Sequence, residues 1–382
     1  MSSISDLQVY INQSGESIIK FHPNIRHYSI EVPVDCFALK IHVDYDPAYY
    51  IRITTDHDAG RYMSPDLDPG MGDYIAGSEV PYYDYYDGYI VRLDKRRGTL
   101  QNDLRMKIHI AAGSYELGNE EWEIDLFRPS NVDIAKKFTY GSHQDEEHNV
   151  RVPYALYVPS NYDPKKSYPI ITCLHGTGER LEPLEANLEK MEMATAWARD
   201  SEDGVRQCLV LVPQCLIHYD DEDNWTSLMQ YINGHSNSPF WPLPQLKAVW
   251  NLLQKLEKEY HIDPKRRYLT GISSGGFGAY VMAMDHPKQF AGVVSASCAA
   301  NPYRIEELRG LGMWFFHADD DPLIAPSYTL EPTMKALNEA GIDYHVTRYP
   351  KGMVFWQSAH FVWEVMYHDE AMRKWLFEQK VK

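Results

Sequence analysis

From about residue 150 to its end, the chain alternates between apolar segments of strand length and segments with helical periodicity. Residues 168–174 and 209–213 are almost continuously apolar, which is typical of strands buried on both faces. In residues 244–260, by contrast, apolar side chains recur at spacings of three and four, as on the buried side of a helix. Because parallel strands need long connections, usually helices, this alternation predicts a mainly parallel sheet with helices on both faces.

Eight strands and four helices are predicted in this part of the chain. The strands are residues 137–140, 151–157, 168–174, 209–213, 267–271, 291–296, 313–317 and 344–349. The helices are residues 244–260, 274–285, 332–340 and 371–379. Residues 216–244 are interpreted as a long irregular stretch, of the kind that often builds a lid or pocket.

The first 128 residues have a different pattern, with short alternating segments separated by Gly, Pro, Asp and Asn. In residues 37–43 the apolar side chains repeat with period two, as in a strand with one buried face. The predicted strands are residues 28–32, 37–43, 50–54, 89–93, 106–111 and 122–127. This pattern predicts an antiparallel β-sandwich of immunoglobulin-like type. We therefore expect two domains, residues 1–130 and 131–382.

Composition excludes several other classes of protein. The net charge of −17 leaves no surplus of Lys and Arg for displacing counterions from nucleic acid, so nucleic acid is not an expected partner. A membrane association is not expected either, because no stretch of about 18 apolar residues is present. The five cysteines form no CxxC pair and no zinc spacing. The N-terminus has neither the basic nor the apolar region of a signal peptide, so a cytoplasmic location is expected, or secretion if such a peptide has been removed.

The sharpest local signal is the G-x-S-x-G motif Gly271-Ile-Ser273-Ser274-Gly275. It follows a predicted strand and precedes a predicted helix, which is the context of a nucleophile elbow. Glycines flank the serine because a Cβ at either position would clash across the tight turn. Ser273 is therefore the candidate nucleophile. The alternative is an ordinary loop rich in Gly and Ser.

A nucleophilic serine needs a base and an acid, which in enzymes with this elbow follow it in the order acid, then His. Three carboxylates, Asp319, Asp320 and Asp321, come directly after the predicted strand 313–317. His360 follows in a later loop, and His368 is the alternative base. The order needed for a triad is thus present, while the pattern alone leaves the choice among the three carboxylates open.

An oxyanion hole requires backbone N–H groups close to the elbow. The predicted strand 168–174 ends in His175-Gly-Thr177-Gly, a turn that can supply one of them. We expect the donors to be the N–H groups of Thr177 and of Ser274, the residue after the nucleophile. A simple turn after a strand is the alternative interpretation of the His-Gly sequence.

These motifs resemble those of α/β-hydrolase esterases of the phospholipase/carboxylesterase, feruloyl-esterase and polyhydroxybutyrate-depolymerase-like group. The resemblance covers roughly residues 150–380. The matching strings are YALYVPS at 154–160, LHGTGER at 174–180, VPQC at 212–215, DPKRRYLTGISSGGFG at 263–278, HADDDP at 317–322 and HFVW at 360–363. The resemblance implies Asp321 as the acid and His360 as the base. The sequence departs from the group at Ser274, where Met is usual, and at Ala318, where Gly is usual.

The resemblance implies an α/β-hydrolase fold preceded by an all-β immunoglobulin-like (cadherin-like) sandwich, and a serine carboxylic-ester hydrolase acting through an acyl-enzyme. Such chemistry needs no cofactor and no metal. Acetyl, feruloyl or other short acyl or aryl esters, free or linked to polysaccharide, are the substrates it implies. The alternative is a peptidase or acyltransferase that uses the same triad. A third hypothesis is an inactive hydrolase that acts as a binding protein. The resemblance to two-domain esterases implies that the chain assembles into a homo-oligomer through its front domain.

Three further residues are candidates for substrate binding: His175, Trp225 and Trp241. The tryptophans lie in the irregular stretch 216–244 and are predicted to line an aryl or sugar site, unless they pack that stretch onto the domain. The Tyr-rich run 74–89 is predicted to form an oligomer contact, a rim of the active site or a packed sandwich loop. Pairs of aspartates at 44/46, 56/58 and 66/68 suggest calcium, but none makes a full binding loop.

Overall fold

The structure is a computed structural model. It describes residues 3–11, 17–32, 36, 38–56, 83–84, 88–93, 103–180, 182–216, 221–351, 354 and 358–382. The chain divides into two compact units, Met1–Val132 and Asp133–Lys382. Among the described residues, no helix combines the length and apolar character needed to cross a membrane.

The front unit is built from two four-stranded sheets. Its strands are β1 (Ile4–Ile11), β2 (His27–Glu31), β3 (Ala38–Tyr45), β4 (Tyr50–Thr55), β5 (Tyr83–Asp84), β6 (Gly88–Arg92), β7 (Leu104–Ser114) and β8 (Gly118–Arg128). One sheet has the order β1-β3-β6-β5 and the other β2-β8-β7-β4. Alternate side chains of both sheets form one buried cluster, which includes Ile41, Ile53, Ile108, Ile110 and Ile124. The period-two pattern of the sequence thus correctly predicts an all-β unit.

The prediction of purely antiparallel pairing is wrong at one point, because β2 runs parallel to β8. Parallel neighbours cannot be joined by a hairpin and need a long connection. Here almost 100 residues separate His27 from its partner Glu123, so the chain is long enough to come back alongside β2 in the same direction. Strand β1 was not predicted, although Ile4, Leu7 and Val9 are all buried.

The second unit has helices packed on an eight-stranded sheet. Its strands are β9 (Phe138–Asp145), β10 (Val150–Tyr157), β11 (Tyr168–Leu174), β12 (Leu209–Pro213), β13 (Ile262–Ile272), β14 (Gly292–Ala296), β15 (Gly312–Ala318) and β16 (His345–Tyr349). The helices are α1 (Val132–Ala135), α2 (Leu184–Lys190), α3 (Glu192–Glu202), α4 (Asp221–Ile232), α5 (Leu243–Glu259), α6 (Ser274–Asp285), α7 (Leu330–Ala340), α8 (Trp363–Met366) and α9 (Glu370–Glu378).

The sheet order is β16-β15-β14-β13-β11-β12-β10-β9. Strands β11 to β16 pair in parallel, and only β9 and β10 pair antiparallel to their neighbours. Two separate buried clusters lie against the sheet, as expected when helices cover both of its faces. The mainly parallel sheet confirms the predicted α/β-hydrolase fold.

The prediction of an irregular stretch over 216–244 is wrong in part, because α4 occupies Asp221–Ile232. The segment opens with the acidic sequence Asp-Glu-Asp at 221–223, a composition that is common in the first turn of helices. Helices α2 and α3 were also not predicted.

The carboxyl ends of the parallel strands meet at one edge of the sheet, where ligands of open α/β sheets bind. Strand β11 ends at Leu174 and is followed by His175, and β13 ends at Ile272 and is followed by Ser273. Strand β15 ends at Ala318, directly before the three aspartates. The topology therefore brings the predicted functional segments to the same edge.

Candidate active site

Ser273 lies on a strained turn between β13 and α6. Its backbone has φ 49° and ψ −122°, a conformation that L side chains rarely adopt. A Cβ added at Gly271 would lie 2.3 Å from the carbonyl oxygen of Gly275, and one at Gly275 would lie 2.0 Å from that of Leu174. The glycines are therefore required by close backbone approach. Ser273 is half-buried, while Ser274 and the glycines around it are buried, so the turn presents the Ser273 side chain outward.

A chain of hydrogen bonds joins Ser273 to His360 and His360 to Asp321. The Ser273 Oγ lies 3.0 Å from His360 Nε2. The His360 Nδ1 lies 2.8 Å from Asp321 Oδ2 and 3.0 Å from Oδ1. Because a carboxylate only accepts, Nδ1 carries the proton, and Nε2 of the neutral ring is free to accept from the serine. The three residues are separated by 39 and 87 positions in the chain, yet they form one continuous contact.

Asp321 is the carboxylate that the structure brings to His360. It is buried, which by itself disfavours ionisation, but hydrogen bonds from His317 and His360 and from the Ile324 N–H outweigh burial and hold its pKa well below the usual range. The N–H groups of Leu323 and Ile324 each donate to its Oδ1 at 2.9 Å. Asp319, by contrast, is exposed and accepts from Arg348 Nε at 2.7 Å.

The backbone of His360 is held by a serine that no sequence motif marks. Ser297, directly after β14, donates from its hydroxyl to the His360 carbonyl oxygen at 2.7 Å. Like Ser273, it has a positive φ, 51°. The His360 N–H donates in turn to Ser358 Oγ at 3.2 Å. These contacts fix the loop that presents the imidazole to Ser273, and since they join distant segments, no local motif marks them.

His175 is buried behind the turn that follows β11, and both of its ring nitrogens have partners. Its Nδ1 lies 2.7 Å from the Gly176 carbonyl oxygen, and the Cys215 N–H donates to its Nε2 at 3.0 Å. Burial lowers the pKa of His175 to about 4, so the ring is neutral at pH 7. A carbonyl only accepts and an N–H only donates, so Nδ1 is the protonated nitrogen.

The bond from His175 fixes the direction of the N–H of Thr177. In a planar trans peptide the C=O of one residue and the N–H of the next point in opposite directions. Holding the Gly176 carbonyl toward the imidazole therefore turns the Thr177 N–H away from it. A Cβ at Gly176 would lie 3.6 Å from the carbonyl oxygen of Ile272, the residue before Ser273, so this turn lies next to the elbow.

The first turn of α6 begins at Ser274, where helix N–H groups lack intrahelical acceptors. Among the described residues, no backbone acceptor is found for the N–H of Ser274 or of Thr177. The buried Ser274 hydroxyl also has no hydrogen-bond partner there. Two N–H groups for which the described residues supply no backbone acceptor thus lie on either side of Ser273, in segments that touch one another.

The family comparison identifies the class of protein to which this fold and site belong. The model of the family described as "Putative esterase" matches residues 146–375, which is more than half of the chain. The chain belongs to this esterase family. It is accordingly a carboxylic ester hydrolase with an α/β-hydrolase fold.

The individual proteins similar to this esterase share low sequence identity with it or match only a short segment. A structure titled as a thermostable esterase is 23% identical, with a TM-score of 0.59, and the match covers 93% of this chain and 99% of that one. A ferulic acid esterase is 17% identical, with a TM-score of 0.45, over 63% of this chain and 99% of that one. Poly(3-hydroxyalkanoate) depolymerase C of Paucimonas lemoignei is 37% identical over 57 residues, which are 15% of this chain and 13% of that protein. The esterase thus matches only a small part of the depolymerase's length.

Two of the three residues predicted to bind substrate are buried and support the fold of the esterase instead. His175 is 1% exposed and Trp241 is fully buried, so neither presents a surface to a ligand. Trp241 packs its ring 5.0 Å from that of His175 and donates from Nε1 to the His175 carbonyl oxygen at 3.3 Å. It supports the turn after β11 from behind. Trp225 lies in α4, and its side chain is outside the described residues.

The remaining candidates of the esterase lie elsewhere. His360, not His368, contacts Ser273. Most of the Tyr-rich run 74–89 lies outside the described residues, as do Asp58, Asp66 and Asp68 of the aspartate pairs.

Proposed function

We propose that the esterase hydrolyses its substrates through an acyl-enzyme on Ser273, with His360 as general base and Asp321 as the carboxylate that orients it. The observation that supports this most strongly is the continuous hydrogen-bond chain from Ser273 Oγ through His360 to Asp321. Its geometry matches the arrangement that activates serine in unrelated hydrolases.

In the first half-reaction, Ser273 Oγ attacks the ester carbonyl carbon as His360 Nε2 takes the hydroxyl proton. Asp321 stabilises the imidazolium that forms but does not take its proton. When the tetrahedral intermediate collapses, the bond to the alcohol oxygen breaks and His360 returns the proton to the leaving alcohol. In the second half-reaction, water gives a proton to His360 and attacks the acyl carbon. The bond between the acyl carbon and Ser273 Oγ then breaks, and His360 returns the proton to Oγ, which releases the acid and restores the serine.

The negative charge on the carbonyl oxygen needs donors at the site where it develops. The N–H groups of Thr177 and Ser274 are the proposed donors, since both lack backbone acceptors among the described residues and flank Ser273. One such donor typically contributes about 10²–10³ in kcat. Because they belong to the backbone, their directions depend on the contacts that hold each turn.

The proposed substrates are short acyl or aryl esters, acetyl and feruloyl esters among them, as the resemblance of the motifs implies. The local similarity to a poly(3-hydroxyalkanoate) depolymerase supports a substrate whose ester bond joins small units. A panel of p-nitrophenyl esters of increasing acyl length, with feruloyl and acetylated-sugar esters, measures the preference. Aminoacyl amides in the same panel test for peptidase activity, and turnover of amides in preference to all esters would contradict the proposal.

A fluorophosphonate probe is expected to inactivate the esterase by covalent attachment to Ser273. Attack of the activated hydroxyl on phosphorus expels fluoride and leaves a stable adduct on Oγ, which peptide mass spectrometry locates. Unfolded protein serves as the control and should not react, because the activation depends on the contact with His360. An adduct on another residue, with Ser273 unmodified and activity lost, would contradict the assignment of the nucleophile.

His175 is expected to act as a positioning residue for the Thr177 N–H. Replacing His175 with Leu removes the donor to the Gly176 carbonyl, so kcat should fall toward the roughly 10²-fold loss of one oxyanion donor, with KM little changed. His175→Asn keeps a side-chain N–H near the place of Nδ1 and should recover part of that loss. Steady-state kinetics on a p-nitrophenyl ester, with thermal unfolding of both variants, separate this role from a general loss of stability. Equal kcat in the two variants at equal stability would contradict it.

A further inference from the structure

A row of ionisable side chains crosses three neighbouring strands of the front unit. The backbone register pairs Glu123 of β8 with His27 of β2 on one side and with His109 of β7 on the other. Asp125 lies two residues beyond Glu123 on β8 and therefore on the same face, and the register pairs it with Lys107 of β7. These side chains are partly exposed, and the fold of the sheet brings them together.

Three of these residues can place ligand atoms around one point. His27 contacts both carboxylates, through Nδ1 at 3.3 Å from Glu123 Oε1 and through Nε2 at 3.0 Å from Asp125 Oδ2. One ligand atom from each of His27, Glu123 and Asp125 lies within 4.8 Å of the others, and this is the only such group found among the described residues. Zinc bonds of about 2.0–2.2 Å would place such atoms roughly 3.3–3.6 Å apart, which exposed side chains can reach by small rotations.

We propose that this face binds a divalent transition-metal ion of the zinc class through His27, Glu123 and Asp125, with water completing the coordination. An imidazole with two carboxylates favours zinc over calcium or magnesium, which prefer oxygen ligands alone. His109 Nδ1 lies 3.3 Å from the second oxygen of Glu123. Its imidazole is thus placed to donate the outer hydrogen bond that typically orients a metal-ligating carboxylate.

The ammonium of Lys107 contacts the same two carboxylates that would bind the metal ion. Its ammonium lies 2.7 Å from Glu123 Oε1 and 3.2 Å from Asp125 Oδ1. A metal ion that binds both carboxylates must displace this ammonium, so the two cations compete. Removal of Lys107 should therefore tighten metal binding, an effect that a purely structural ion-pair network would not produce.

The test is zinc binding to the full chain, freed of metal with a chelator and titrated with zinc chloride by isothermal calorimetry. We expect one site per chain whose affinity falls by more than about 100-fold in His27→Ala and in Asp125→Asn, each of which removes a ligand atom, and by about 10–100-fold in His109→Ala, which leaves all three ligands in place. Lys107→Met should bind zinc more tightly than the unmodified chain. Thermal unfolding without metal checks that each variant is folded, and ester hydrolysis is not needed as a readout.

His42→Ala is the matched control. His42 is a partly exposed strand residue whose Nε2 lies 3.1 Å from Asp44, and the three-ligand group found among the described residues does not include it. Its removal should leave the zinc affinity unchanged. The proposal is overturned if His27→Ala binds zinc as tightly as the unmodified chain, if Lys107→Met binds it no more tightly, or if the unmodified chain takes up no zinc.

Discussion

Replacing Ser273 with alanine is expected to lower kcat for a p-nitrophenyl acyl ester by about 10⁶-fold, the loss typical of a missing serine nucleophile. Without Oγ the proposed acyl-enzyme cannot form, and among the described residues Ser273 is the only hydroxyl hydrogen-bonded to His360 Nε2. The residual rate should remain about 10³–10⁴-fold above the uncatalysed reaction, because the proposed oxyanion donors are backbone groups that the substitution leaves in place. Thermal unfolding should be little changed, since only one half-buried hydroxyl is removed.

Ser295→Ala provides the control for this experiment. Ser295 lies on β14 opposite Gly271, is buried like the elbow, and donates its hydroxyl to Tyr280. Its replacement costs at most about one buried hydrogen bond of stability, roughly 0.5–1.5 kcal/mol, and should leave kcat unchanged. Turnover by Ser273→Ala at the rate of the Ser295→Ala variant would contradict the acyl-enzyme proposal.

The elbow was predictable because its determinants are local. The clashes that exclude side chains at Gly271 and Gly275 involve Gly275 itself and the end of β11, so the requirement appears as glycine at fixed spacing around Ser273. The mainly parallel sheet was predictable for a similar reason, since its central strands are short, continuous apolar runs. The boundaries of β11, β12 and α6 agree with those predicted.

The supporting contacts were not predictable, because each joins segments that are distant in the chain. His175 and Trp241 were predicted to bind substrate. Their actual partners, Cys215 for His175 and the turn after β11 for Trp241, are brought to them only by the folding of distant segments. Ser297 has no motif at all, and its role depends on the loop of His360, 63 residues later. The pairing of His27 with Glu123 likewise follows from a register between strands almost 100 residues apart.

Replacing Asp321 with asparagine is expected to lower kcat by about 10⁴-fold with little change in KM. The Asn amide nitrogen can face His360 Nδ1 only if that nitrogen gives up its proton, which moves the proton to Nε2. The ring then cannot accept from Ser273, and the positive charge that develops on it loses its carboxylate partner. Asp321 is the carboxylate 2.8 Å from His360 Nδ1, so the loss should appear in single-turnover acylation as well as in steady-state kcat.

Asp319→Asn and Asp320→Asn decide between Asp321 and the two carboxylates that precede it. Asp319 is exposed and paired with Arg348, and exposed pairs contribute only about 0–1 kcal/mol, so its replacement should change neither stability nor kcat noticeably. The sequence pattern alone leaves all three residues as candidates, whereas the geometry singles out the buried one, whose oxygens also accept from Leu323 and Ile324. A loss of about 10⁴-fold in either neighbouring variant, with Asp321→Asn active, would move the acid role to that neighbour and contradict the proposed triad.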